Sequence, residues 1–300
     1  MRFTMVRTLD NERYEEFLWF LQERQRIWHV KEILKCDPPW TDDDTLQKAK
    51  FCNIYRELDR LTIYEYNCIK DLEPKEQLYC IALFRHTISP HTFELLRSKP
   101  TEEQFRRTFK ELLEKKQAVS NALMFTPGKF KTWEDCVWAY YNDLNSKIDT
   151  LYSNLMDAIN LGNIKDVIKN VLSPLLYMGD FKCYEMYISL TYLDWFPFTE
   201  DDYVFVGDGS LYGMEILHGL EKVHGIGQVA ALEILPELRD KVHKDLLDTD
   251  YIWIPQEFQF SKKYEHKFTL RTLEHSMCEY RKRWCLMNGA MPMRRKYEYV

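Results

Sequence analysis

The sequence predicts a mainly α fold with short extended segments, and three observations carry that prediction. Apolar residues recur at three- and four-residue spacing through most of the chain, the period of one helix face. Proline and glycine clusters punctuate the periodic stretches. Hydrophobic residues make up 45% of the 300 and aromatic residues 15%, enough for a sizeable core and too many for a disordered chain. With no clear linker, a single mainly helical domain over 1–300 is expected, with room for two lobes of about 1–160 and 161–300.

Taken in order, Tyr14–Leu34 carries Phe17, Phe20, Leu21, Ile27 and Trp28 on one side, with Arg24 and Arg26 nearby. Pro38 and Pro39 keep the next segment extended. A second helix is expected from Thr41, because Thr41 with Asp44 three residues on resembles a capping box, and Asp42 and Asp43 complement the helix dipole. Phe51, Ile54, Tyr55 and Leu58 continue at helical spacing. Further amphipathic helices are expected at about 74–87, 101–125 and 132–160, separated by Pro90, Pro100 and "TPGK" at 126–129. Two segments, 172–193 and 220–238, read as helix, glycine turn, helix; "DYVFVGDGSLYG" at 202–213 reads as an extended run entering a glycine turn. "DYIWIPQEFQF" at 250–260 reads as extended, with a small hairpin arm as one form, and a last helix spans about Thr269–Met287.

Several function classes are excluded or disfavoured. No segment approaches the roughly 18 uninterrupted apolar residues of a spanning helix, so no membrane association is expected. The N-terminus lacks the apolar stretch of a signal peptide. Eight scattered cysteines without a CxxC pair read as reduced thiols in a cytoplasm. The net charge of −6 does not advertise nucleic-acid binding, but "EYRKRW" at 279–284 and "MRRKY" at 293–297 supply local basic patches, which also read as a solvated tail. P-loop, GxSxG, HExxH, EF-hand, Rossmann and kinase signatures are absent.

Three stretches carry candidate chemistry. In "NIYRELDR", Asn53, Arg56 and Arg60 fall on one stripe if the segment is helical, with Glu57 and Asp59 beside them. Arginines there can clamp a phosphate and asparagine can pair with a base edge, or the charges can form an intrahelical ion-pair lattice. Glycine turns before helices offer backbone N–H groups to a phosphate, or serve as ordinary caps; "YMGDFK", "HGIGQV" and "VGDGS" are of this kind. In "LEHSMCEYRKRW", His275 and Glu279 share a helix face, where Glu279 can orient His275 as a general base, or pair with it electrostatically. His275 and Cys278 make half a metal site without a matching pair elsewhere, so no metal and no cofactor is expected.

The order of these stretches is similar to that of one family. "F-x-x-F-x-x-x-R-x-x-I" from Phe17, "PWTDD", "FCNIYRELDRLT", a glycine hairpin, "VGDGSLYG" with "LHG", and "LEHSMCEYRKR" resemble the α-glutamyl/putrescinyl-thymine pyrophosphorylases of bacteriophage thymine hypermodification, also called amino acid:DNA transferases. The helical domain of 5-hydroxymethyldeoxyuridine DNA kinases is their relative. The resemblance runs from about Phe17 to Tyr297. It departs at Gly207-Asp208-Gly209, where the family tends to glycine-proline-glycine, and at Leu211 and Tyr212, which stand where basic residues are usual.

The resemblance implies a helical fold related to helix-hairpin-helix DNA glycosylases. It also implies an activity: an amine or amino acid displaces pyrophosphate from an activated 5-hydroxymethyluracil in double-stranded DNA. With no phosphotransfer signature in the chain, the transferase role is expected over the kinase role, in the cytoplasm of a phage-infected host. Glu57, Asp59 or His275 would take the amine proton. Arg24, Asn53, Arg56, Arg60, Gly179, Gly207, Asp208, Gly209 and Ser210 would hold pyrophosphate or DNA. Trp40, Tyr55 and Phe205 would line a pocket for a flipped base. The rival readings are a glycosylase or lyase using Asp180 and Lys182, and a noncatalytic DNA-binding module.

Overall fold

The structure is a computed structural model describing residues 8–120, 128, 130–176, 179–220, 226–264 and 268–291. Parts of the expected helix at 101–125, most of "TPGK", Tyr177 and Met178, the start of "HGIGQV", and "MRRKY" lie outside the described residues. Helix accounts for 67% of the structure, with no β-strand among the described residues. None of their helices is long and apolar enough to cross a membrane.

The helices in chain order are α1 (Asn11–Trp28), α2 (Asp44–Lys48), α3 (Arg60–Ile69), α4 (Pro74–Thr87), α5 (Pro90–Arg97) and α6 (Glu102–Glu114), then α7 (Trp133–Asn160), α8 (Ile164–Asp166), α9 (Asp180–Thr191), α10 (Asp208–Leu217), α11 (Gln228–Leu247) and α12 (Leu270–Met287). They form two compact units. The terminal unit holds the described residues up to Asp59 and from Val206 onward; the central unit is Arg60–Phe205.

In the terminal unit, α10 lies directly on α12, and two glycines set the distance. A Cβ at Gly213 would sit 2.3 Å from the Met277 carbonyl oxygen, and one at Gly209 2.5 Å from Cys278 Sγ. Phe17, Phe20, Phe51 and Tyr280 form an edge-to-face aromatic cluster between α1, the 49–59 segment and α12. Buried Arg283 ties three elements together, donating to Glu16 at 2.5 Å and Asp43 at 2.7 Å. The helix expected from Thr41 is interrupted. Its N-cap is Asp43, which accepts from Leu46 N–H, and α2 ends after Lys48 with Ala49 extended.

The central unit is organised around α4, buried on almost every side. Tyr140 of α7 donates to the Ala82 carbonyl and stacks flat on His86, centroids 3.8 Å apart. Pro90 starts α5 rather than only ending what precedes it. Ile88 turns the chain through a left-handed conformation, Ser89 caps Thr92 N–H, and Pro90 takes the first helical position, where its missing N–H loses nothing.

Elsewhere, 250–260 is irregular, with one 3-10 turn at Gln256–Phe258 instead of a hairpin arm. Helix α11 continues to Leu247 through Pro236, because Leu238, Val242 and Leu246 extend its buried face.

Candidate active site

The segment 51–59 is not helical, although its apolar residues pack as expected. Phe51, Ile54, Tyr55 and Leu58 are all buried. Side chains take the backbone groups that a helix would use. The Asn53 amide donates to the Leu58 carbonyl at 2.8 Å, Asn53 N–H donates to Asp59 Oδ1 at 3.2 Å, and Cys52 N–H donates to Glu279 Oε2 at 2.9 Å. Only Arg56–Leu58 makes a 3-10 turn. The expected stripe of Asn53, Arg56 and Arg60 therefore does not exist: Arg60 begins α3, exposed and in the central unit.

The cluster that replaces the stripe joins this segment to α12. Arg56 pairs with Asp59 Oδ2, at side-chain exposures of 19% and 18%, so the pair remains reachable from solvent. Buried Arg24 donates to the Cys52 carbonyl at 3.1 Å and lies over the Phe51 ring. One potential ligand atom from each of Cys52, Asp59 and His275 lies within 4.8 Å of the others. His275 Nε2 is buried and has no hydrogen-bond partner among the described residues. Behind it, Glu274 accepts from Ser210 Oγ and from Arg271 at 2.6 Å, which anchors α12 to the first turn of α10.

Burial dominates the electrostatics. It pushes the Asp59 carboxyl up, against the opposing pull of Arg56. It holds His275 well below the usual imidazole range, helped by the charges of Arg56 and Arg271, so the ring is neutral near pH 7. The Cys52 thiol is raised by burial and by the charges of Glu279 and Asp59.

The expected site residues divide accordingly. Arg24, Asn53, Arg56, Asp59 and His275 converge, and Glu57 is buried in the adjoining 3-10 turn. Trp40 instead has Lys31 over its ring and donates to the Cys36 carbonyl. Tyr55 is buried beside Tyr251. Gly207 caps α10, Asp208 is exposed, Gly209 is needed for packing on Cys278, and the Ser210 hydroxyl is engaged by Glu274. Gly179, Asp180, Lys182 and Phe205 belong to the central unit, where Phe205 contacts Tyr184. Glu279 does not orient His275; its carboxylate takes the Cys52 N–H, 227 positions away. The residue that sequence reasoning missed is Cys52. Its signal was its place inside "FCNIYRELDR", which a search for paired cysteines passes over.

A family model described as "5-hmdU DNA kinase, helical domain" matches residues 11–288. The 5-hmdU DNA kinase of Bacillus phage SP10 is 26% identical over an alignment covering 65% of this chain and 34% of that protein. The chain thus spans about a third of the length of that curated relative. No solved structure matches the chain. A match that covers every described helix places the chain in the family of the helical domain of 5-hmdU DNA kinases.

Proposed function

We propose that the chain is a DNA-modifying enzyme of thymine hypermodification, which transfers an amine or amino acid onto pyrophosphorylated 5-hydroxymethyluracil in double-stranded DNA. The amine nitrogen bonds to the methylene carbon, the carbon–oxygen bond to pyrophosphate breaks with its electron pair leaving on pyrophosphate, and the ammonium proton passes to a base. The observation that carries this reading is the convergence of Cys52–Asp59 with His275–Glu279. Cations and proton acceptors share one partly open cluster there, the charge types this substitution requires. In this reading Arg56 and Arg24 offset the charge of the leaving pyrophosphate, and Glu57, Asp59 or His275 accepts the proton.

Family membership supports modified DNA as the partner, because the relative's name is that of a kinase of 5-hmdU in DNA. Contact with DNA phosphates and kinship with helix-hairpin-helix glycosylases are supported by a repeated feature. Helices α9, α10 and α11 each begin at a glycine, Gly179, Gly207 and Gly227, with no side-chain cap on their first N–H groups. The cytoplasm of a phage-infected host is the compartment that fits these substrates.

The test is to incubate the protein with DNA carrying pyrophosphorylated 5-hydroxymethyluracil and a mixture of amines, then digest to nucleosides for mass analysis. A nucleoside carrying a new carbon–nitrogen bond is expected; unchanged nucleosides with every amine sink the reading. Release of a free base would instead support glycosylase or lyase chemistry. One observation favours that second reading: burial lowers the Lys182 ammonium to about 8, which makes it a better amine nucleophile near neutral pH.

A further inference from the structure

We propose that Cys52, Asp59 and His275 form a binding site for one zinc-type divalent cation. Their potential ligand atoms lie within 4.8 Å of one another. Ligand atoms around a tetrahedral ion with bonds of about 2.0–2.3 Å stand roughly 3–4 Å apart, a gap that rotamer adjustment closes. Two of the ligands are already held in place. Glu279 holds Cys52 through its N–H, and Asp59 is held by Asn53 N–H and by Arg56.

His275 supplies an independent observation. It is nine-tenths buried, and its Nε2 has no hydrogen-bond partner among the described residues. A buried polar nitrogen left without a partner carries its desolvation cost uncompensated.

The donor set selects the class of ion. Thiolate with imidazole prefers zinc-type ions to magnesium. Asp59 has two oxygens and about four lone pairs, so Asn53 N–H and Arg56 leave capacity for an ion, and Arg56 becomes the outer partner of a ligating carboxylate. The charged groups facing the site largely cancel in pairs: Arg56 with Asp59, Arg271 with Glu274, Lys282 with Glu279. Arg24, on the Cys52 carbonyl, adds one positive charge, which a thiolate at Cys52 offsets. Three protein ligands leave a fourth position open, the arrangement of catalytic rather than structural zinc. That the open position takes an oxygen of pyrophosphate rests on the function proposed above; the ligand set does not. With Asp59 and His275 engaged, Glu57 is left as the proton acceptor of the three.

The test uses the full chain, stripped with a chelator and titrated with Co²⁺ alone. The expected result is uptake of one equivalent with a thiolate-to-cobalt charge-transfer band, displaced by Zn²⁺. Cys52→Ser abolishes that band, Cys36→Ser leaves it, and His275→Gln weakens uptake at least about tenfold. No stoichiometric uptake, uptake by the wild type without the band, or a band that survives in folded Cys52→Ser overturns the proposal. No DNA or amine enters this measurement. A metal-free protein that still forms the adduct, or a metal-loaded one that never does, therefore separates failure of the metal site from failure of the transferase reading.

Discussion

Arg85 in the central unit sits between two carboxylates and Arg56 in the terminal unit pairs with one, and only the first cluster is closed. Arg85, Glu65 and Glu185 have side-chain exposures of 4%, 2% and 9%. Arg85 Nη2 donates to Glu65 at 2.5 Å, Nη1 to Glu185 at 3.1 Å, and Nε to Ser189 at 2.9 Å. Every arm of the guanidinium is used, and burial raises the Glu65 carboxyl against the pull of Arg85. Arg56 and Asp59 are at least about twice as exposed, at 19% and 18%, and stand beside a thiol and an imidazole nitrogen that has no hydrogen-bond partner among the described residues. A saturated buried network specifies a fold; a cluster with open valences and a solvent face has room for chemistry.

Two substitutions break this comparison if it is wrong, and they have the largest expected effects. Arg85→Ala strands Glu65 and Glu185 in the core and is expected to destabilise by about 3–5 kcal/mol, read by urea denaturation. Arg56→Ala is expected to reduce adduct formation by about 10²–10³-fold while stability changes by about 1 kcal/mol. Unfolding by Arg56→Ala with normal turnover per folded molecule would make both clusters structural.

The fold was legible where local signals agree. The helices expected at about 74–87, 132–160 and 269–287 stand at Pro74–Thr87, Trp133–Asn160 and Leu270–Met287. It was illegible where one residue type serves two purposes. Pro90 reads as a terminator and proves to be the first residue of α5. Phe51, Ile54, Tyr55 and Leu58 have helical spacing, but Glu279, Asn53 and Asp59 take the N–H and C=O groups that a helix would have used. That competition involves α12, so no local window contains it. The same distance hid part of the site: Asn53, Arg56, Asp59 and His275 were named from motifs, whereas Cys52 becomes visible only once the segments meet.

Lys182 sharpens the contrast by being a charge that burial in the central unit disfavours. Burial lowers its ammonium from 10.5 to about 8, and its charge helps hold His86 well below the imidazole range. Below about pH 8 both folded and unfolded chains carry the proton, and the burial penalty is fully felt. Between about 8 and 10.5 the unfolded chain binds more protons than the folded one, so stability rises with pH, by about 3 kcal/mol at most. Lys182→Met is expected to remove that rise and to stabilise the protein at pH 7. Urea unfolding of wild type and variant at pH 7, 8, 9 and 10, compared as differences, cancels the other titrating groups. A difference flat in pH would mean that the amine reaches water in the folded state.

The smallest effect tests what joins the two halves of the candidate site. Glu279 accepts the Cys52 N–H at 2.9 Å and stands 3.6 Å from Lys282. Glu279→Ala leaves that N–H without its acceptor and is expected to cost about 1–3 kcal/mol. Glu279→Gln keeps an acceptor oxygen and gives up only a partly exposed ion pair, so the expected loss is under about 1 kcal/mol. Turnover should follow the same order, because Glu279 acts by positioning the backbone of Cys52 rather than by touching substrate. Equal losses from both variants would show that its charge, not its hydrogen bond, holds the 51–59 segment on α12. The terminal cluster would then depend on paired charge as the Arg85 network does, and the distinction between an open site and a closed one would rest on exposure alone.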